Sequence, residues 1–263
     1  MIKCFFSAGW IYFFTIFNGL ASELEDTELS SLARTTIVRV TVKYTSPNDP
    51  NNVCDESFGA GFVVSKDGHV LTADHLLTPP DECKEFDVLQ LTGNIGGYLG
   101  NNEIPLNISS DRNAFSDVVL LKFVDTPQDH AVAPVCRSDD LIAGERLLAF
   151  GFPKNEGFSP IDVRYSNPDG TRGRWRVSSV FTYGVSGGPV YNTKGQVVAV
   201  VQGGLAGTPA VRYVVPLRQA KSLIEYGGDL PECATDRDEI PTSGEGTCDA
   251  TKLTWDEYKK CRP

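Results

Sequence analysis

Between residues 35 and 215 the chain is a succession of short β-branched and aromatic runs broken by turn residues. TTIVRVTVKY alternates with period two, FGAGFVVS and HVLTA flank the turn Lys66-Asp67-Gly68, and FDVLQL, DVVLLKF, RLLAFGF, IDVRY, RWRVSSVF, GQVVAVV and VRYVV follow. Runs this short, at fairly regular spacing and almost without helical periodicity, build a sandwich or barrel rather than alternating strands and helices. Pro, Asp and Gly accumulate over residues 125–144, between two strand-rich blocks. The expected architecture is therefore all-β, with two antiparallel β-barrels at 35–125 and 145–228 and a linker at 126–144. The first convincing helix is expected late, at 218–226 (RQAKSLIEY), after Pro216 and before Gly227-Gly228, which suits glycine termination.

Both ends of the chain follow other rules. Lys3 precedes an uncharged apolar run with Gly19 and Ala21 near its end, the pattern of a secretory signal over residues 1–21. No later segment is apolar and long enough to span a bilayer, so no stable membrane insertion is expected once the signal is cleaved, and the destination is secreted or periplasmic. Six cysteines remain after Cys4: Cys54, Cys83, Cys136, Cys233, Cys248 and Cys261. An even set in an exported chain predicts disulfides, and the sequence alone fixes no pairing. Cys233 tied to Cys136 and Cys248 paired with Cys261 are the expectations. Cys54, His69, His75 and Cys83 match no common zinc spacing. Residues 229–263 form an acidic Cys-containing tail too short for a further domain, with Thr254 and Glu257 placed for a capping box. Lys and Arg number 24 against 34 acids, a net charge of -10, which repels phosphate backbones and excludes nucleic acid as a natural partner. Oligomeric state is not legible.

Chemistry concentrates at Gly184-Val185-Ser186-Gly187-Gly188-Pro189, a serine among glycines before an apolar strand. Glycines reach backbone conformations that let main-chain N–H groups face a reacting oxygen. The bland alternative is a Gly-rich hairpin turn. Gly-x-Ser-x-Gly is also the nucleophile elbow of α/β-hydrolases, which place their histidine after the serine. Here the 3 histidines, His69, His75 and His130, all precede Ser186, so that class is excluded. His75 follows an apolar run that ends in a polar turn, a position for a general base, whereas His69 in a turn and His130 in the linker suit solvated roles. Asp117, opening DVVLLKF, is the candidate orienting acid, with Asp111 as its competitor. The order His, Asp, Ser on β-barrels remains.

With these segments in view, the chain resembles the trypsin-type serine peptidases, chymotrypsin-like in fold, and most closely their HtrA-like branch. GAGFVVSKDGHVLTADHLL is similar to the family's histidine region, SDVVLLKF to its aspartate strand, LLAFGFP to the opening of its second barrel, and GVSGGPVYNTKGQVVAVV to its serine region. The resemblance spans about residues 35–224. It implies His75 as general base, Asp117 as orienter and Ser186 as nucleophile, with the N–H groups of Gly184 and Ser186 as the oxyanion hole. It also implies a primary substrate pocket based at Val180 and walled by Val201, Gln202, Gly203 and Gly204. Neither region carries an acid to select Lys or Arg, so a small or apolar residue is expected there. The implied partner is a protein or peptide substrate, and acyl transfer of this kind needs no metal or organic cofactor. The competing class is a catalytically silent barrel protein acting as a binding module.

Two departures from the family matter. Val185 stands where trypsin-like zymogens carry an Asp that pairs with a newly cut N-terminus. Residues after Gly228 do not supply the PDZ domain of HtrA proteins. Activity without an N-terminal ion pair is expected.

Overall fold

The computed structural model describes residues 23–86, 88–97, 103–110, 112, 115–128, 130–138, 140–204, 211–224 and 231–233. Two closed antiparallel barrels account for nearly all of its regular structure. The first is built from β1 (Ile37–Ser46), β2 (Asp49–Val63), β3 (His69–Ala73), β4 (Val88–Ile95), β5 (Ile104–Ile108) and β6 (Val118–Phe123), in the order β1-β2-β3-β6-β5-β4. The second contains β7 (Arg146–Gly151), β8 (Ser159–Asn167), β9 (Trp175–Ser178), β10 (Pro189–Tyr191), β11 (Val197–Gly204) and β12 (Arg212–Pro216). Read from β7, its order is β7-β8-β9-β12-β11-β10, the same winding as the first.

Alternation fixes which side chains fill each barrel. On β1, Val38, Val40, Val42 and Tyr44 point into the first barrel with Val63, Val70, Leu91, Val119, Leu121 and Phe123. The second barrel is filled by Leu147, Val163, Trp175, Val177, Val198, Val201 and Val214 among others. A third apolar cluster lies at the seam, where Ile37, Phe62, Leu71, Val118 and Leu120 of the first barrel meet Phe150, Phe152, Tyr191, Val200 and Val215 of the second. Burying both faces of β1 explains why even its outward residues Arg39 and Thr41 are below 10% exposed. Each apolar side chain so enclosed contributes about 1.5–3 kcal/mol, so the seam is as much a core as either barrel.

The structure corrects the expectation that helix comes only late. A helix, α1 (Asp26–Thr36), precedes the first strand, with a capping box between Glu25 and Glu28. Leu24, Leu29 and Ala33 lie in the seam cluster. Leu24 N–H donates to the Thr193 carbonyl at 2.8 Å, and Thr36 Oγ1 lies 3.1 Å from the Tyr191 hydroxyl. Burial pushes the phenol of Tyr191 far above its ordinary range. The late helix takes a different form from the one expected: a 3₁₀ turn at Leu217–Gln219 leads into the short α2 (Lys221–Ile224). Its continuation to residue 226 lies outside the described residues, as do the signal segment, Asp111, Cys248, Cys261 and the Thr254–Glu257 pair.

Disulfides join Cys136 to Cys233, as expected, and Cys54 to Cys83. The second bond takes two thiols from any metal cluster with His69 and His75. The segment between the barrels is stitched to the second one: Cys136 N–H donates to the Val197 carbonyl at 3.0 Å, and Val197 N–H returns to the Pro134 carbonyl at 2.9 Å.

Candidate active site

β3 ends at Ala73 and turns directly into a 3₁₀ segment, Asp74–Leu77, that carries His75 at the rim of the first barrel. The neighbouring strand β6 pairs with β3 in the register Ala73↔Val118, which brings Asp117 beside that rim. Asp117 adopts a left-handed backbone with φ of 60°, a conformation that Asp and Asn accept more readily than most residues. Its carboxylate takes the His75 backbone N–H on Oδ1 at 2.9 Å, and its Oδ1 and Oδ2 lie 3.1 and 2.9 Å from Nδ1 of the ring. Burial opposes ionisation of Asp117, but the hydrogen bonds and charge of His75, with the Arg174 guanidinium farther off, hold the carboxyl below its usual range. The Asp117 side chain is 8% exposed and that of His75 41%. A proton on Nδ1 facing the carboxylate leaves the Nε2 lone pair free, the tautomer a general base requires. Among the described residues the His75 ring bonds only Asp117.

Behind His75, Asp74 is nearly fully buried and is gripped by Arg112, whose Nε donates to Oδ1 at 2.8 Å and whose second nitrogen reaches Oδ2 at 3.2 Å. The same nitrogen bonds the Asp74 carbonyl at 3.1 Å and Thr78 Oγ1 at 3.1 Å. This fork joins the loop before β6 to the turn that bears the imidazole.

Ser186 comes from the second barrel, on the turn before β10. Gly184 has φ of 89° and Gly187 φ of 82°. A Cβ at Gly184 would run into the Phe152 carbonyl oxygen, and one at Gly187 into the Ala60 carbonyl and Thr72 Oγ1, so both positions demand glycine. The Gly187 collision also locates the turn: its backbone lies against the ends of β2 and β3, next to the His75 segment. Ala60 N–H donates to the Ser186 carbonyl at 2.8 Å across the seam. Within the turn, Gly188 N–H bonds the Val185 carbonyl at 3.0 Å and Gly187 N–H bonds the Val201 carbonyl at 2.8 Å. The N–H groups of Gly184 and Ser186 have no acceptor among the described residues, which leaves two donors for an incoming oxygen.

The four wall residues from the sequence are placed unequally. Val201 is fully buried with its side chain in the second barrel's core, so only its backbone meets the serine turn. Gly203, at φ of 120°, presents a position 3.9 Å from Ser186 Oγ. Gln202 is half-buried, and Gly204 lies beneath the Arg212 guanidinium. Val180 is 78% exposed, so its side chain stands out in solvent rather than forming the base of a cleft. His69 and His130 lie away from the site. His69 Nδ1 faces Ser65 Oγ at 2.9 Å, and the His130 ring spans the Pro127 and Ser65 carbonyls at 2.7 and 3.2 Å.

Two six-stranded antiparallel barrels, one carrying a histidine held by a carboxylate and the other a serine on a glycine turn that packs against β2 and β3 of the first, have the architecture of the chymotrypsin-type fold. The chain belongs to the family described as Trypsin-like peptidase domain, whose model matches residues 59–200. It is 29% identical over 160 residues to a probable periplasmic serine endoprotease DegP-like of Hahella chejuensis, covering 55% of this chain and 29% of that protein. It is 26% identical over 185 residues to serine protease HTRA1B of Danio rerio, covering 65% of this chain and 35% of the relative. The chain thus spans about a third of the length of these curated relatives. The active form of the Rv3671c protease from M. tuberculosis shares the fold with a TM-score of 0.57 at 17% identity, over 90% of this chain and 98% of that one.

Proposed function

We propose that this chain is an exported serine endopeptidase that cleaves peptide bonds through an acyl-enzyme. The observation that carries the reading is the buried Asp117 carboxylate holding the exposed His75 ring on one barrel, with the left-handed glycine turn of Ser186 packed against that barrel from the other. Ser186 Oγ attacks the scissile carbonyl while its proton passes to His75 Nε2. Asp117 stabilises the imidazolium, and the N–H groups of Gly184 and Ser186 hold the tetrahedral oxyanion. Collapse of that intermediate breaks the C–N bond, the amine leaves with the proton from His75, and water repeats the cycle to release the acid. The oxyanion hole is unblocked, and the base is oriented before substrate arrives. Nucleophile and base tighten on substrate binding in such sites.

Export is supported by the sequence of residues 1–21 and by the disulfides Cys54–Cys83 and Cys136–Cys233, bonds that persist in oxidising compartments. The DegP-like relatives are described as periplasmic, and among the described residues no helix is long and apolar enough to cross a membrane. The deciding experiment is mass spectrometry of residues 22–263 after fluorophosphonate treatment, alongside Ser186→Ala. A stoichiometric adduct on Ser186, lost in the variant, is expected. A folded, disulfide-intact protein that takes no adduct would favour a binding module instead.

A further inference from the structure

An oxyanion turn built on left-handed glycines does not hold its own shape, and Val185 lacks the carboxylate by which an N-terminal ion pair would order it. Its support in this chain is the segment after β7, where a short 3₁₀ turn, Pro153–Asn155, follows Phe152. Phe152 N–H donates to the Gly184 carbonyl at 3.1 Å, and Lys154 N–H donates to the Tyr183 carbonyl at 3.0 Å. Each carbonyl aimed this way turns its peptide plane, and the plane between Gly184 and Val185 adjoins the pair of N–H groups left open for substrate.

The supporting segment is itself unusual. Lys154 and Asn155 have φ of 55° and 59°, two consecutive left-handed residues that each cost about 1–2 kcal/mol and persist only where surroundings fix them. Those surroundings come from the other barrel. Arg39 of β1, 9% exposed, donates from Nε to Asn155 Oδ1 at 2.8 Å. Its guanidinium lies 4.7 Å over the Phe58 ring and 3.5 Å from Glu103 Oε1, so it is oriented from two sides before it meets Asn155. Phe152 is fully buried, with its ring packed where a Cβ on Gly97 of the first barrel would have to sit.

We propose that Arg39 is a positioning residue for oxyanion stabilisation. Through Asn155 it holds the 152–155 segment, and through that segment's two N–H donors it holds the Gly184 turn in the form that receives negative charge. The first barrel thereby supplies the second with the constraint that an N-terminal ion pair would otherwise give. The catalytic part of this inference rests on the peptidase reading above; the mechanical part does not.

The test compares the intact protein with Arg39→Met, Asn155→Gly, their combination and Arg39→Lys. Methionine keeps the stem over Phe58 without the donor. Glycine keeps the left-handed backbone without the acceptor. Each single variant should lose about 10- to 100-fold in kcat on a peptide amide and in the rate of fluorophosphonate labelling, the range one charge-assisted hydrogen bond controls. KM should stay within about twofold, since the change acts on the transition state. The combined variant should be no worse than the poorer single one, and lysine should recover part of the rate. Amide exchange at Phe152 and Lys154 should quicken while Gly187 and Val201 keep their protection. Unchanged exchange at Phe152 and Lys154, kcat within twofold of the intact protein, additive losses, or losses that merely follow the unfolded fraction would each overturn the proposal. Faster exchange in the variants of a protein that never labels at Ser186 would keep the mechanical coupling and remove the peptidase reading.

Discussion

Replacing Asp117 by Asn separates the charge of this side chain from its shape. Asn, like Asp, accepts the left-handed backbone at φ of 60°, so the main chain loses nothing. The amide oxygen can still take the His75 backbone N–H, now 2.9 Å from Oδ1. The amide nitrogen then replaces Oδ2, which lies 2.9 Å from His75 Nδ1. Two donors cannot face each other at that distance, so the ring moves its lone pair to Nδ1 and its proton to Nε2, the atom that must accept from Ser186. The expected loss in kcat/KM is about 10⁴-fold, or about 5.4 kcal/mol at 1.36 kcal/mol per decade. Stability should fall far less, by about 1.5–3 kcal/mol for one charge-assisted hydrogen bond. At about 2–4 °C per kcal/mol for a domain of this size, that is a drop of roughly 3–12 °C. Asp117→Ala adds the left-handed penalty of about 1–2 kcal/mol and should melt lower still. Steady-state turnover of a peptide amide at neutral pH, paired with thermal melts, decides the matter. An Asn variant keeping more than about a tenth of the activity would refute the tautomer argument. An Ala variant melting above Asn would refute the backbone argument.

The depressed acidity of the Asp117 carboxyl also sets a pH dependence: its contribution to stability is complete above the unfolded value of about 3.9 and is lost as pH falls through the lower folded value. The gap in urea midpoint between intact protein and Asp117→Asn should therefore narrow as pH falls below the ordinary carboxylate range, and a gap that widens with acidification would contradict this. Removing the Cys136–Cys233 bond by double Ser substitution opens a loop with a sequence separation of 97; a loss of about 3–5 kcal/mol is expected in denaturant titration. Arg112→Met strands the buried Asp74 carboxylate beside the base. It should cost about 2–4 kcal/mol and be largely rescued by adding Asp74→Asn, as a double-mutant cycle would show.

The barrels and the serine turn were legible because their signals are local. Alternation along residues 35–44 shows in one strand, and the glycines around Ser186 declare a left-handed turn without knowledge of its neighbours. α1 was missed because its sequence, DTELSSLARTT, is polar enough to read as solvated. The i, i+3, i+4 spacing of Leu29, Leu32 and Ala33 was the available signal, but the surface that buries it belongs to residues far along the chain. β5 was missed because Pro105 interrupts an already short run. Arg39 falls among the polar positions of the alternating β1, and only docking of the second barrel turns that face into an interior. The wall at Val201–Gly204 is implied only by the family resemblance, and of it Gly203 lies near Ser186 Oγ. The exposure of Val180 is not legible, because where a loop residue points is set by what the loop packs against, not by residue count.

Since α1 packs on residues of the second barrel, order of synthesis acquires a meaning. Thr36 meets Tyr191 only after a further 155 residues have been made, a delay of about 8–30 s at ribosomal rates of roughly 5–20 residues per second. During that interval the first barrel can close, but the second-barrel half of the surface that buries Leu24, Leu29 and Ala33 is not yet made, and the serine-bearing turn does not exist. Closing the N-terminal helix onto the finished second barrel is then a late event of maturation.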